Sequence, residues 1–112
     1  MEIKVEAMKR CELVTLSGQI DSATAPELEQ TLLDLIDSGK RNLVLNFRDV
    51  TFISSAGLKA LLAAQIKTRR KLPAGEIAIA EISPKLKDTL ELVGLHYLFK
   101  FYDGNVQAVG SF

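Results

Sequence analysis

The chain has 112 residues, of which 47% are hydrophobic and 25% are charged, so we expect one compact domain spanning residues 1–112. Fourteen basic residues balance fourteen acidic ones, so the chain lacks the excess positive charge with which proteins bind nucleic acid. No apolar stretch approaches the ~20 residues of a membrane helix. The first residues lack the hydrophobic segment of a signal peptide, and the single cysteine, Cys11, cannot form an intramolecular disulfide, so we expect a cytoplasmic protein without membrane insertion.

The first part of the chain predicts a hairpin followed by a helix. "IKVEA" (3–7) alternates apolar and charged residues, and "ELVTLSG" (12–18) follows a polar turn, which is typical of two strands joined as a hairpin. "TAPELEQTLLDLIDSG" (24–39) then places leucines at helical spacing. Thr24 and Glu27 have the offset of a capping box, and Gly39 is suited to end the helix.

The rest of the chain alternates strands and helices. "NLVLNF" (42–47) predicts a central strand, and "DVTFISSAG" is expected to connect it to a helix that begins at Ala56 and ends at "KTRRK". A strand is predicted over 76–82, a helix from Ser83 to Gly94 and a last strand over 97–102. This order implies an α/β fold with a mostly parallel sheet that begins with one antiparallel hairpin.

Two serines lie where the central strand leads into a helix. Functional residues of open α/β sheets tend to lie beyond the carboxyl ends of the strands, so this junction is a candidate site. Ser54 and Ser55 have an ordinary interpretation as helix caps, which serine commonly provides. The small neighbours Ala56 and Gly57 favour a second interpretation, in which a partner approaches one of the hydroxyl groups and modifies it.

Other chemistry has weaker support in the sequence. A hydrolase elbow requires G-x-S-x-G, but Ile53 occupies the position of the first glycine for Ser55, and the only possible imidazole base is His96. The carboxylates of Asp21, Asp49 and Asp103 lack the spacing of a magnesium site and are expected in turns and caps. The basic run "KTRRK" is expected to be a solvated helix end.

The junction resembles the signature of STAS domains, the family of sulfate transporters and anti-sigma factor antagonists. "FISSAGLKALL" is similar to the phosphorylation loop of that family and the helix that follows it. "GQID" (18–21) looks like the family's segment at the end of the second strand. The resemblance covers nearly the whole chain and implies a STAS-type mixed sheet of four to five strands, packed with three to four helices.

The resemblance also implies a function. Stand-alone bacterial members of this size are anti-sigma factor antagonists, which bind an anti-sigma factor that is also a serine kinase and so release a sigma factor. The kinase phosphorylates the serine two residues before the glycine, here Ser55, with Ser54 as the second choice, and a serine phosphatase reverses the reaction. The residues expected to contact the partner are Asp21, Ser22, Asp49, Thr51, Ile53, Ser54, Ser55, Ala56, Gly57 and Leu58.

No enzymatic activity and no cofactor are expected in this chain. It has no phosphate-binding glycine motif, so the ATP and Mg²⁺ of the phosphorylation should be bound by the partner kinase. The chain departs from the family pattern at Ser54 and Asn46, where relatives often have aspartate, and any terminal helix is expected to be short or absent. The alternative function is a non-switching STAS scaffold, a subunit of a transporter, lipid-trafficking or sensor complex, in which both serines are only caps.

Overall fold

The computed structural model describes residues 1–112 as an α/β fold with five strands and four helices. This agrees with the predicted fold class in both the number and the alternation of its elements. The strands are β1 (Glu2–Ala7), β2 (Glu12–Ile20), β3 (Asn42–Ile53), β4 (Glu76–Ala80) and β5 (Lys100–Tyr102). The helices are α1 (Ala25–Asp37), α2 (Ser55–Arg69), α3 (Pro84–Leu92) and α4 (Asn105–Gly110), with a 3₁₀ turn at Leu95–Leu98.

The five strands form one sheet in the order β1-β2-β3-β4-β5. β1 and β2 pair antiparallel, as the predicted hairpin requires, and each later pair of neighbours is parallel. The mostly parallel sheet is therefore confirmed. Its arrangement places the ends of β2 and β3 side by side, with Ile20 opposite Ile53, so the segments that follow these two strands are neighbours.

The two faces of the sheet are covered unequally. One face packs against α1, α2 and α3 in the main core, where leucines at helical spacing in α1 meet alternate residues of the strands. The opposite face is covered by α4, whose Ala108 packs in a smaller apolar cluster. The members of that cluster are Cys11, Leu13, Val44, Ala80 and Ala108.

The central strand is longer than the sequence analysis predicted. β3 extends to Ile53, whereas the prediction ended the strand at residue 47 and placed a connection after it. Beyond Asn46 the strand leaves β4 but continues to pair with β2, where Asp49 lies opposite Ser17. The polar residues of this extension indicated a loop because they are exposed, although the backbone remains in the sheet.

One prediction near the end of the chain is wrong, and the expectation of a short or absent terminal helix agrees with the structure. The strand predicted over 97–102 is divided, because Leu95–Leu98 forms a 3₁₀ turn and only Lys100–Tyr102 pairs with β4. A terminal helix does form, although it is short, at Asn105–Gly110. None of the helices combines the length and the apolar character required to cross a membrane.

Candidate functional site

The candidate site lies at the carboxyl ends of β2 and β3. The Ser54 N–H donates to the Ile20 carbonyl at 2.8 Å, so the strand pairing continues to the first residue after β3. The segment 21–24 follows β2 and lies beside the start of α2. Asp21 and Ser22 directly follow β2, and the two serines directly follow β3, so the pairing of Ile20 with Ile53 places the two segments side by side.

Ser54 is the N-terminal cap of α2. Its backbone is extended, and its side-chain oxygen accepts a hydrogen bond from the Gly57 N–H at 3.3 Å. This satisfies one of the donors that a helix leaves unpaired at its start. The cap interpretation is thus confirmed for Ser54, whose half-buried hydroxyl is already engaged.

Ser55 differs from Ser54 in both exposure and bonding. It is the first residue of α2, its side chain is exposed, and its hydroxyl makes no hydrogen bond within the chain. The side chain projects at a helix N-terminus, where backbone N–H groups give a partial positive charge. Of the two serines, Ser55 is therefore the one whose oxygen a foreign catalytic group can reach without breaking a cap.

Gly57 has a different role from the one predicted. It is buried, and a Cβ atom at this position would lie 2.7 Å from Ile20 Cγ2 and 2.7 Å from Ile53 Cγ1. The glycine therefore lets α2 pack closely on the ends of β2 and β3, and it does not open the surface to a partner. Ile53 and Leu58, also predicted to contact a partner, are 4% and 8% exposed and belong to the core.

The segment after β2 is held by Asp21. Its Oδ1 accepts hydrogen bonds from the N–H groups of Ala23 and Thr24 at 3.0 and 3.1 Å. These bonds, the one from Thr24 first and then that from Ala23, hold the pKa of the Asp21 carboxyl below its ordinary value, because they favour the charged form. Asp21 therefore shapes this turn, and Ser22 is exposed at its surface.

The predicted capping box at the start of α1 is wrong. Thr24 makes no side-chain cap, because its hydroxyl donates to the Gln19 carbonyl at 2.8 Å and accepts from the Asp21 N–H at 2.9 Å. The threonine thus closes the turn between β2 and α1 and leaves Glu27 without the expected partner.

The exposed rim of the site includes one residue that the sequence analysis did not select. Asp49 and Thr51, two of the residues expected to contact a partner, are exposed, and Phe52 is 48% exposed beside them. Two neighbouring residues, Thr51 and Phe52, are both exposed, which a strand with regular alternation does not allow. The register explains this, because β3 has one more residue than β2 between Asn46 and Asp49 and again between Val50 and Phe52. A bulge changes which side chains point outward, and nothing in the sequence marks its position.

Asn46 lies below this extension of β3 and joins three parts of the chain. Its Nδ2 donates to Glu81 Oε2 at 2.9 Å and to Asn105 Oδ1 at 2.7 Å, while its Oδ1 accepts from the Arg48 N–H at 2.9 Å. An aspartate here would have no protons to donate and would face the Glu81 carboxylate. Glu81 and Asn105 both accept hydrogen bonds from this position, so they favour the asparagine found here over the aspartate that is common in the family.

The alternative nucleophile–base arrangement has no geometric support. His96 lies in the 3₁₀ turn, where its ring lies against the Tyr97 ring at 3.9 Å between centroids with a tilt of 38°, and its Nδ1 is buried without a partner. No hydrogen bond joins His96 to Ser54 or Ser55, so neither hydroxyl is paired with an imidazole.

Comparison with known proteins agrees with this geometry. An anti-sigma F factor antagonist from Paenibacillus polymyxa is 26% identical over 110 residues, covering 97% of this chain and 92% of that protein. An anti-sigma factor antagonist from Mycobacterium paratuberculosis has a crystal structure with a TM-score of 0.86 at 29% identity, covering 98% of this chain and 92% of that one. The Bacillus cell fate determinant SpoIIAA in its phosphorylated form shares the fold, with a TM-score of 0.75 at 16% identity and 98% of each chain covered.

A family model covers almost all of the sequence. The model described as the STAS domain matches residues 2–108, which include every strand and the candidate site. On this match, and on the shared fold, the chain belongs to the STAS domain family.

Proposed function

We propose that the protein is an anti-sigma factor antagonist that is switched by phosphorylation of Ser55. In its unmodified form it binds an anti-sigma factor that is also a serine kinase, and a sigma factor is released. Phosphorylation by that kinase ends the complex, and a serine phosphatase restores it. The observation that carries the proposal is the exposed Ser55 hydroxyl, which no group of the chain engages.

The names of similar proteins support the general activity. The Paenibacillus and Mycobacterium proteins are both named as antagonists of anti-sigma factors, and this chain covers more than nine-tenths of each. The SpoIIAA structure represents a phosphorylated state of a protein with the same fold. This chain supplies a serine hydroxyl, while the nucleotide and its Mg²⁺ belong to the kinase.

The energetics explain why phosphorylation would act on binding and not on folding. A phosphate adds roughly −1.5 to −2 charges, which a helix N-terminus favours by about 0.3–1 kcal/mol. The same charge, buried without a partner in a protein interface, costs about 3–5 kcal/mol. The second effect is larger, so the fold survives while affinity falls by more than about a hundredfold.

Intact-mass analysis tests the identity of the acceptor. The protein is incubated with the candidate anti-sigma kinase, ATP and Mg²⁺, as wild type and as Ser55→Ala and Ser54→Ala variants. We expect one added phosphate on the wild type and on Ser54→Ala, and none on Ser55→Ala. Losing the cap in Ser54→Ala costs about 1 kcal/mol, so circular dichroism must first show that this variant is folded.

Binding measurements test the consequence of the charge. Ser55→Asp should bind the same kinase at least tenfold more weakly than wild type, while Ser55→Ala should retain binding. Phosphate on Ser54 instead of Ser55 would overturn the assignment. Equal binding by Ser55→Asp and wild type would favour the non-switching scaffold.

A further inference from the structure

A pocket of about 260 Å³ lies at the amino ends of β2 and β3. It is enclosed by the turn between β1 and β2, the segment between α1 and β3, and the loop before β4. Ser55 follows the carboxyl end of β3, so the pocket and the candidate phosphorylation site lie at opposite edges of the sheet. Most ligand pockets measure about 300–1,000 Å³, so this one suits a small molecule.

The charged residues that line the pocket are four cations and one carboxylate. Lys9, Arg10 and Lys40 are exposed, and Arg41 is half-buried. The salt bridges within the chain all involve other residues, so none of these four cations is paired with a carboxylate. On a chain without net charge, such a group of unpaired cations around one pocket attracts an anion.

Glu12 is the carboxylate of the pocket, and it is buried. The residue is 8% exposed, and its Oε2 has no hydrogen-bond partner within the chain. Buried polar side-chain atoms are nearly always hydrogen-bonded, so an unpaired carboxylate oxygen requires an explanation. A ligand that carries a hydroxyl group into the pocket would supply the missing donor. The pocket therefore favours an anion that also has a proton to donate.

The backbone around the pocket is fixed by side-chain hydrogen bonds. The Thr68 hydroxyl donates to the Arg41 carbonyl at 2.6 Å. Asn42 Nδ2 donates to the Arg10 carbonyl at 3.4 Å, and Asn42 Oδ1 accepts from the Glu76 N–H at 3.2 Å. These bonds join the starts of β2, β3 and β4 to α2, so the charged side chains of the pocket extend from a fixed frame.

We propose that this pocket binds a phosphate group that retains a proton, either inorganic phosphate or a small phosphate monoester. Lysine and arginine form charge-assisted hydrogen bonds with the phosphate oxygens, and the remaining P–O–H group donates to Glu12. Sulfate has the same tetrahedral shape but carries no proton at neutral pH. It would leave the Glu12 oxygen unpaired and place a second anion against it, so the pocket selects phosphate. This site is independent of the switch at Ser55.

Titration calorimetry with inorganic phosphate and sulfate, at pH 7 and low ionic strength, tests this selectivity. Wild type should bind phosphate at least tenfold more tightly than sulfate. Glu12→Gln should lose this preference, because its amide can donate to either anion. Lys40→Gln should weaken phosphate binding about threefold. The matched control is Lys85→Gln, which removes an exposed lysine at the start of α3, beyond the carboxyl end of β4, and should bind phosphate as wild type does.

The outcomes decide between selective binding and attraction by charge alone. Equal binding of phosphate and sulfate by wild type would overturn the proposal, as would the absence of phosphate binding or a preference that persists in folded Glu12→Gln. If circular dichroism shows that Glu12→Gln is unfolded, the ratio of the two affinities in wild type and the Lys40→Gln result decide. Methyl phosphate separates the two sources of the ligand, because tighter binding than phosphate supports an ester and weaker binding supports the free ion.

Discussion

Asn46 is a buried residue whose amide is required by its surroundings. It is 4% exposed and donates to both Glu81 and Asn105. In an Asn46→Asp variant, two carboxylates would lie at hydrogen-bond distance without a proton between them. We expect the free energy of unfolding to fall by about 1–3 kcal/mol, measured by urea denaturation at pH 8.

The same contact provides the control for Asn46. Glu81→Gln should restore most of the stability in the double variant, because the new amide can donate to Asp at position 46. The loss should also be smaller at pH 5 than at pH 8, since a proton shared by two neighbouring carboxyl groups removes their repulsion. A loss that is independent of both pH and Glu81→Gln would contradict this account.

At the residue scale, the sequence predicted a contact between near neighbours in the chain and missed the contacts that come from other strands. Ser54 was interpreted as a cap because serine before a helix is a local pattern, and the local geometry agrees. The role of Gly57 could not be predicted in this way, because its neighbours Ile20 and Ile53 come from two different strands. Thr24 illustrates the same limit, since the Gln19 carbonyl in the preceding strand competes for its hydroxyl.

At the element scale, Asp37 connects the ends of two helices. At the C-terminal end of α1 it binds Lys67 Nζ at 2.8 Å and Lys71 Nζ at 3.2 Å, in and just after the last turn of α2. Hydrogen bonds from Lys67 and then Lys71 hold the pKa of the Asp37 carboxyl below its ordinary value of 3.8. The contribution of this carboxylate to stability is therefore present above pH 3.8 and is lost as the pH falls through the lower, folded-state pKa.

Melting temperatures at pH 7 and pH 3 test this connection. Asp37→Asn should show a smaller drop between the two pH values than wild type, and high salt should reduce the difference because both partners are partly exposed. Asp34→Asn is the control, since Asp34 is exposed on the same helix and bonds only to the neutral Gln30 side chain. An acid response of Asp37→Asn equal to that of wild type would show that the ion pairs contribute nothing measurable.

The elements themselves were predictable where one periodicity continued over a long segment. α1 and the hairpin follow from their apolar spacing, and Gly39 adopts the left-handed backbone expected after a helix. The extension of β3 was missed because pairing with β2 alone leaves its polar side chains exposed. The 3₁₀ turn before β5 was missed because "YLFKFY" is apolar and aromatic throughout, which is also typical of a strand.

At the scale of the whole molecule, the order of strands and helices determined the fold class. Alternating strands and helices require crossovers, so the mostly parallel sheet followed without knowledge of any contact. Which helix covers which face was not predictable, because α4 has only six residues and no clear apolar period.

The sheet face that only α4 covers contains the single cysteine, Cys11, whose reactivity reports whether α4 stays packed on the sheet. Cys11 is 5% exposed in the cluster that includes Ala108, and burial, with a further effect from Glu12, raises the pKa of its thiol. Reaction with a maleimide therefore requires this region to open. An Ala108→Asp variant should react at least tenfold faster than wild type, while Leu72→Gln, at a residue that is 93% exposed beyond the end of α2, should react at the wild-type rate. If Cys11 is alkylated as slowly in Ala108→Asp as in wild type, the sheet protects the thiol and α4 does not.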